Sequence, residues 1–328
     1  EIIDNSFFEK RIEDALKYRF VVEKDNLDNC RLIFGDADLL PGLTVDRYND
    51  VLVTQVTSFD IEQRKDFIYQ LLLDILNKNN QTVKYIYERN DVQVRTKEGL
   101  ELYKGFYGKE TCSTDLVIAE NHLLLNVDIQ NGQKTGYFLD QKSNRMLIRN
   151  MAKGLRVLDC FTHTGGFALN AASGEAKSVT AVDVSGTALE EARKNAEINH
   201  FTNMTFVQAD VFDYLEEMKE GEFDLIILDP PAFTKSRKTV KQAYYGYKRI
   251  NLEAMKKLEN GGFLATCSCS RYMETSLFEQ MLKEAALEAN VLLKQVSVTQ
   301  QNHDHPILWS MEETSYLKFF IFQIVKEK

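Results

Sequence analysis

Two cysteines separated by a single residue, in the run Thr266-Cys267-Ser268-Cys269-Ser270, are the residues best suited to covalent chemistry in this chain. A thiolate can add to C6 of a pyrimidine, which turns C5 into an enamine-like carbon able to attack an electrophilic methyl group. Without that addition, C5 of cytosine is too weak a nucleophile. Taken alone, free cysteines are more often small buried hydrophobes, and that reading would win. The run is expected directly after a strand, facing a cleft, and the Asp-Pro-Pro turn beside it decides for chemistry. Asp229-Pro-Pro-Ala-Phe233 adds a second piece. Its two prolines fix the backbone as it leaves a strand and hold Asp229 at a pocket mouth, with Phe233 able to stack on a planar base. A rigid turn and nothing more is the plainer reading.

A third constellation is acidic. Short apolar runs end in Asp159, Asp183, Asp210 and Asp229. In open α/β sheets ligands bind at the carboxyl ends of strands, so four such carboxylates would form one rim. Any single one of them is as readily a helix cap. After the first run, Gly165 and Gly166 allow a tight turn into a helix and a close approach to a ligand. Asp183 is positioned to accept both hydroxyls of a ribose, and Asp210, or an amide beside it, to meet an adenine edge. A dinucleotide site would need glycines early in this loop to cradle a pyrophosphate, and Phe161 and His163 stand there instead. S-adenosylmethionine has no pyrophosphate, and its positive sulfonium suits an acidic rim. A transferase using that cofactor is therefore favoured over a nicotinamide dehydrogenase.

The densest basic and aromatic stretch is Lys235-Ser-Arg-Lys238, Lys241, Tyr244, Tyr245, Tyr247, Lys248 and Arg249. It can grip phosphates and stack bases, or be a solvated helix face. Cys267, Cys269, His303 and His305 do not have a structural-zinc spacing, and no metal is expected. Asp304-His-Pro306 is expected to order a loop over the site. The net charge of −9 argues against a protein that coats nucleic acid nonspecifically, although a local basic patch remains compatible with it. Five cysteines without regular spacing point to free thiols in a reducing cytoplasm. No apolar run is long enough to span a membrane, and Glu1-Ile-Ile-Asp4 does not read as a signal peptide.

Positioning these residues requires a scaffold, and 328 residues suffice for two domains. Residues 1–115 read as a small α/β unit. It has an opening helix from Phe7 to Tyr18, a turn at Pro41-Gly42, and a strand over 51–56. Asp60 is expected to cap a helix that buries Ile61, Ile68, Leu71 or Leu72, and Ile75 on one face. A strand follows over 83–87, and the polar stretch 98–115 is the expected boundary. From 116 to 328 strands and helices alternate. A strand at 123–129 turns through Gln130-Asn-Gly-Gln133 into a pairing segment. A helix over 141–151 is then followed by strands at 156–159, 179–183, 204–210, 223–229 and 262–266, with helices at 187–199 and 243–258. Such alternation predicts an α/β fold, a mostly parallel Rossmann-like sheet with helices on both faces, preceded by the smaller α/β domain.

Together these residues resemble the RlmI-type family of bacterial 23S ribosomal RNA 5-methylcytosine methyltransferases, over nearly the whole chain. The likeness lies in Leu40-Pro-Gly-Leu-Thr-Val-Asp-Arg47, in Asp128-Ile-Gln-Asn-Gly-Gln-Lys-Thr-Gly-Tyr-Phe-Leu-Asp-Gln141 and in the loop from Asp159 to Phe167. Asp229-Pro-Pro231, Gly246-Tyr-Lys248, Ser268-Cys-Ser270 and Asp304-His-Pro306 also match. The resemblance implies a Rossmann-like class I methyltransferase domain with a late antiparallel strand, at 316–325, and a small domain that helps present RNA. It implies Cys269 as the nucleophile, whereas the geometry of the run leaves Cys267 and Cys269 open. It implies Phe138, Asp140 and Gln141 as part of the cofactor pocket beside Asp159, Phe161, Gly165, Asp183 and Asp210. Asp229 and Cys269 would be catalytic. Phe233, Lys238, Lys241, Tyr247, Lys248 and Arg249 would bind substrate. Members usually begin with a PUA RNA-binding domain, and this chain opens where that domain would end. The partner expected is ribosomal RNA, specifically 23S, with no membrane and with a homodimer kept open. A guanine-N7 enzyme on the same scaffold is the rival within the class, and a noncatalytic RNA-binding protein on a decayed methyltransferase fold is the rival outside it.

Overall fold

Apolar residues three and four apart build the first helix, α1 (Asn5–Val22), which buries Phe8, Ile12, Ala15, Leu16 and Arg19. Its N-terminus is closed by Asp4, which accepts a hydrogen bond from the Phe7 amide. The computed structural model describes residues 4–326; Glu1, Ile2 and Ile3, part of the opening segment considered above, lie outside the described residues. The chain divides into two units, one made of residues 4–142 with Asn302–Thr314, the other of Ser143–Gln301 with residues 315–326.

In the smaller unit, β1 (Asn29–Phe34), β2 (Leu43–Tyr48) and β3 (Val51–Val56) form an antiparallel meander. The helix α2 (Phe59–Lys78) then carries the chain over to β4 (Tyr85–Asn90), parallel to β3, and β5 (Tyr103–Phe106) completes the order β1-β2-β3-β4-β5. The cap of α2 is Ser58 rather than Asp60. Ser58 keeps an extended backbone and accepts from the Ile61 amide, while Asp60 already lies in the first turn, where its charge complements the helix dipole. Ile61, Ile68, Leu72 and Ile75 face the core as the period predicts, joined by Tyr69 and Leu76.

A hairpin follows, β6 (Asp115–Glu120) and β7 (Leu123–Asp128). The partner of β7 thus precedes it instead of following the turn at 130–133. The reason is the two-residue link Asn121-His122, both in the left-handed region, which is the geometry that joins twisted antiparallel strands. The division between units falls at Lys142, not near 115. Hydrogen bonds explain the difference: the Asn29 and Asn49 side chains donate to the carbonyls of Ala119 and Val117, and Arg89 donates to those of Ile129 and Gly132. The polar segment at 98–115 meanwhile contains β5 and is no linker.

The larger unit opens at Ser143, the second residue of α3 (Lys142–Met151). It continues through β8 (Arg156–Cys160), α4 (Gly166–Ser173), β9 (Ser178–Asp183), α5 (Gly186–Ile198), β10 (Met204–Gln208) and α6 (Val211–Glu217). Then come β11 (Leu225–Leu228), α7 (Val240–Lys257), β12 (Phe263–Ser268), α8 (Thr275–Ala289), β13 (Leu292–Thr299) and β14 (Lys318–Val325). The strand order is β10-β9-β8-β11-β12-β14-β13, parallel except for β14, which runs antiparallel to both its neighbours. Side chains alternate between two cores. Val157, Leu225, Ile227, Cys267 and Phe319 pack on α3 and α4, whereas Leu158, Ile226, Leu228, Leu264 and Phe320 pack on α6, α7 and α8. Strand order reverses between β8 and β11, so the crevice for a ligand lies at their carboxyl ends.

Candidate active site

At that crevice, one residue before the end of β8, stands Asp159, which is fully buried. One carboxylate oxygen accepts from the Thr162 hydroxyl (2.6 Å) and the Ala168 amide (2.9 Å). The other, Oδ1, has no hydrogen-bond partner. Burial lifts this carboxyl to about 7, and the negative charges of Asp229 and Asp183 add to the rise against those two hydrogen bonds. Two of the other three carboxylates expected at the rim therefore act on Asp159. A buried oxygen without a partner beside two further acids is a receptor for a cationic, hydrogen-bonding group.

The loop after β8 bends through left-handed backbone at Phe161, His163 and Gly165. Two positions where a dinucleotide loop would carry glycine take that conformation with side chains attached, at a cost of roughly 1–2 kcal/mol each. Gly165 is constrained further, since a Cβ there would stand 3.1 Å from Ala192 Cβ. Asp183 closes this loop from β9. Its Oδ2 accepts from the His163 amide and its Oδ1 from the Ser185 amide, both at 2.9 Å, which fixes the carboxylate plane. Burial keeps the His163 imidazole below its ordinary pKa despite Asp183, so the ring is neutral near pH 7. Asp210 is exposed and caps α6, its Oδ1 accepting from the Phe212 and Asp213 amides. Here the capping role describes the contacts seen.

On the other side of the crevice, Asp229 leaves β11 and accepts a hydrogen bond from the Cys267 thiol, 2.7 Å. The thiol run does not begin after β12: Thr266, Cys267 and Ser268 belong to the strand, and Cys269 is the first residue beyond it. Cys267 is consequently buried in the core against α4, while Cys269 is partly exposed. Behind Cys269 stands Lys318, a residue to which the sequence drew no attention. Its Nζ donates to the Ser270 carbonyl (2.7 Å) and the Tyr316 carbonyl (2.9 Å).

Phe233 lies in an aromatic cluster, with ring centroids 4.6 Å from Tyr247, 6.1 Å from Phe212 and 6.4 Å from Phe161. This links the turn after β11 to the loop after β8. Gly246 permits it, because a Cβ there would come within 3.2 Å of the Phe233 ring. Tyr247 is a correction to the sequence reading. It is fully buried and its hydroxyl accepts from Ser268, so it supports Phe233 and β12 and has no free face for a base. The basic stretch also splits. Lys248 pairs with Glu288 (2.9 Å) and Glu284, and Arg249 pairs with Glu216. Lys238 and Lys241 are exposed and make no ion pair among the described residues. Phe138, Asp140 and Gln141 belong to the other unit, where Asp140 accepts from Lys134 (2.6 Å) and Phe138 lies under the Lys134 ammonium. Asp304, in that same unit, is buried and anchors the segment 302–305 to β1, accepting from the Arg31 amide. No group of metal ligands occurs among the described residues, and no described helix is long and apolar enough to cross a membrane.

Residues 101–322 match the family of S-adenosylmethionine-dependent methyltransferases. Over 99% of its length the chain is 41% identical to a protein of Klebsiella pneumoniae named ribosomal RNA large subunit methyltransferase I, covering 81% of that protein. A namesake in Erwinia tasmaniensis is 42% identical, with 99% and 82% covered. Among solved structures, a methyltransferase complexed with S-adenosylhomocysteine superposes with a TM-score of 0.83 at 24% identity, covering 98% of this chain and 82% of the other.

Proposed function

Since the chain belongs to the family of S-adenosylmethionine-dependent methyltransferases, and with its 41% identical relatives to the ribosomal RNA large subunit methyltransferase I group, we propose that it methylates C5 of a cytosine in 23S ribosomal RNA through a covalent cysteine adduct. The observation that carries this reading is a partly exposed Cys269 at the end of β12, two strands along from the unpartnered Asp159 oxygen. Residues fit the cofactor on their own chemistry. Asp159 would receive a cationic group, Asp183 the ribose hydroxyls, Gly165 and Phe161 the surface beside them, and Asp210 or an amide beside it the adenine edge. When bound, S-adenosylmethionine supplies an electrophilic methyl group.

In this mechanism the Cys269 thiolate forms a bond to C6, the electron pair of the C5–C6 double bond shifts toward N3, and Asp229, in its acid form in the RNA complex, holds the base edge and gives N3 a proton. The electron pair would then return to C5, which takes the methyl group as the methyl–sulfonium bond breaks and a neutral thioether leaves. Loss of the C5 proton to a base restores the double bond and expels the thiolate. Phe233 packs against the base, and Lys238 and Lys241 meet phosphates. Lys248 and Arg249, paired with acids, would serve only after exchanging those partners. A cytoplasmic location and a homodimer accord with this reading.

The test is RNA carrying 5-fluorocytosine at the target, because fluorine cannot leave C5 as a proton does. An adduct should accumulate on the wild-type protein. Cys269→Ala should lose the adduct and turnover and still bind S-adenosylmethionine. An adduct that survives Cys269→Ala would overturn the assignment. Methyl transfer without any cysteine would favour guanine N7, which is already nucleophilic.

A further inference from the structure

Lys318 is a buried lysine with no carboxylate bonded to it among the described residues, an unusual state for an ammonium group. Two carbonyls hold its Nζ, those of Ser270 and Tyr316. The first belongs to the residue directly after Cys269. Antiparallel pairing explains how it gets there: Lys318 is the register partner of Ser268, the last residue of β12, so its side chain reaches past the strand end to the turn beyond. Alternation also sets Lys318 apart from Cys267. Phe319 and Cys267 share the core on α3 and α4, which puts Lys318 on the opposite face of the sheet from Cys267.

We propose that Lys318 is a positioning residue for the nucleophile, holding the Cys269–Ser270 turn and presenting a positive charge that favours the thiolate of Cys269 over that of Cys267. Charge distribution around the pair supports the choice. The groups acting on Lys318 are Cys269 foremost, then Cys267 in β12 and Glu274 at the start of α8. Tyr247 of α7, which accepts from Ser268, lies within reach of both thiols, and burial keeps its phenol protonated. Cys267 instead gives its proton to a hydrogen bond with Asp229, an anionic neighbour that disfavours a second negative charge. Burial brings the Lys318 ammonium down to about 8, so it still carries its charge at neutral pH. The geometry of the run leaves both thiols open and the resemblance alone favours Cys269; pairing with β14 supplies a physical basis for the choice.

For its catalytic meaning the inference rests on Cys269 being the nucleophile, but its test does not. Iodoacetamide alkylation of Cys269 is followed by mass spectrometry on the full chain from about pH 6.5 to 10, without RNA or cofactor, because the thiolate is the species that reacts. Lys318→Gln keeps a hydrogen-bond donor and removes the charge. It should slow alkylation of Cys269 near pH 7 by about tenfold and recover to the wild-type rate near pH 10. Lys318→Arg should stay within about twofold of wild type. Where Lys318→Gln fails to fold, Lys318→Met, which leaves no buried polar group, carries the same expectation. A wild-type rate at neutral pH in the neutral variant would overturn the proposal. So would a slowing of equal size at every pH, which marks a merely structural role, or an arginine variant as slow as the glutamine one. If the pH profile shifts as expected and no cytosine is methylated, the proposed function fails and this inference stands; the reverse result fails this inference alone.

Discussion

Asp159 is ionised or neutral according to what lies against it, which makes it the most informative single side chain in the crevice. In the protein alone, burial and two neighbouring acids hold its carboxyl near 7. A cation at the bare Oδ1 would favour the ionised form, so binding S-adenosylmethionine should release a proton. Affinity is then expected to climb by up to about tenfold per pH unit below 7 and to level off above it. Calorimetry between pH 5.5 and 8.5 should show this slope, and Asp159→Asn should bind weakly without it; a flat wild-type profile would remove Asp159 from the cation site. Stability runs the other way. Because the folded carboxyl binds its proton more tightly than the unfolded one, its contribution is complete below about pH 4 and is lost as pH rises through 7. Asp159 as part of an acidic rim was legible from its place after an apolar run. Its missing partner was not, because an unpaired atom is a property of every residue around it.

Among the elements, α7 and the segment leading into it show how a run of like charge sorts itself on folding. Lys248 and Arg249 lie where α6 and α8 present Glu216, Glu284 and Glu288, and they are neutralised there. Lys238 and Lys241, at the start of the helix, have no acid in reach among the described residues. Replacing Lys238 and Lys241 with Ala should weaken binding of a 23S rRNA fragment and flatten the dependence of log affinity on log salt by about 0.7 per lost contact. Replacing Lys248 and Arg249 should change that slope little. Titrations by fluorescence anisotropy between about 50 and 200 mM salt separate the two outcomes. Equal slopes for both pairs would leave the stretch a solvated face. The helices themselves were readable from period alone, to within a few residues. Their caps were less so: Ser58 and Asp60 are both good capping residues, and only the extended backbone at Ser58 selects it.

At the scale of the molecule, neither unit is one continuous stretch of chain. Residues 302–314 belong to the smaller unit although they connect two strands of the larger sheet. Asp304 is what binds this segment to its unit. It accepts from the Arg31 amide (2.8 Å) and the Asn302 side chain (2.7 Å), and pairs with His305 (2.7 Å). Burial alone would raise its carboxyl, yet His305, Lys142 and the Arg31 amide hold it well below the usual carboxylate range. Asp304→Ala leaves those donors without their acceptor and should cost about 3–5 kcal/mol in urea denaturation, as removal of one partner from a buried charged network does. A loss under about 1 kcal/mol, within the range of an exposed pair, would show that the segment is held by packing instead.

The amino-acid sequence by itself determined the alternation of strands and helices, the acidic strand ends, the glycine turn and the chemistry open to a thiol next to a cleft. These follow from local properties, the period of burial and the conformational limits of Gly and Pro, which act over a few residues. Only the tertiary structure decided which of these residues meet. Strand order brought Asp159, Asp183 and Asp229 within electrostatic reach, and burial turned Tyr247 from a base-stacking candidate into core. The length of β12, two residues beyond its apolar run, put Cys267 inside the sheet and Cys269 at its edge. Pairing with β14 then brought Lys318 to the turn behind Cys269. Pairing of distant strands and the dielectric around a buried group depend on the whole packed chain, and no local pattern carries that information.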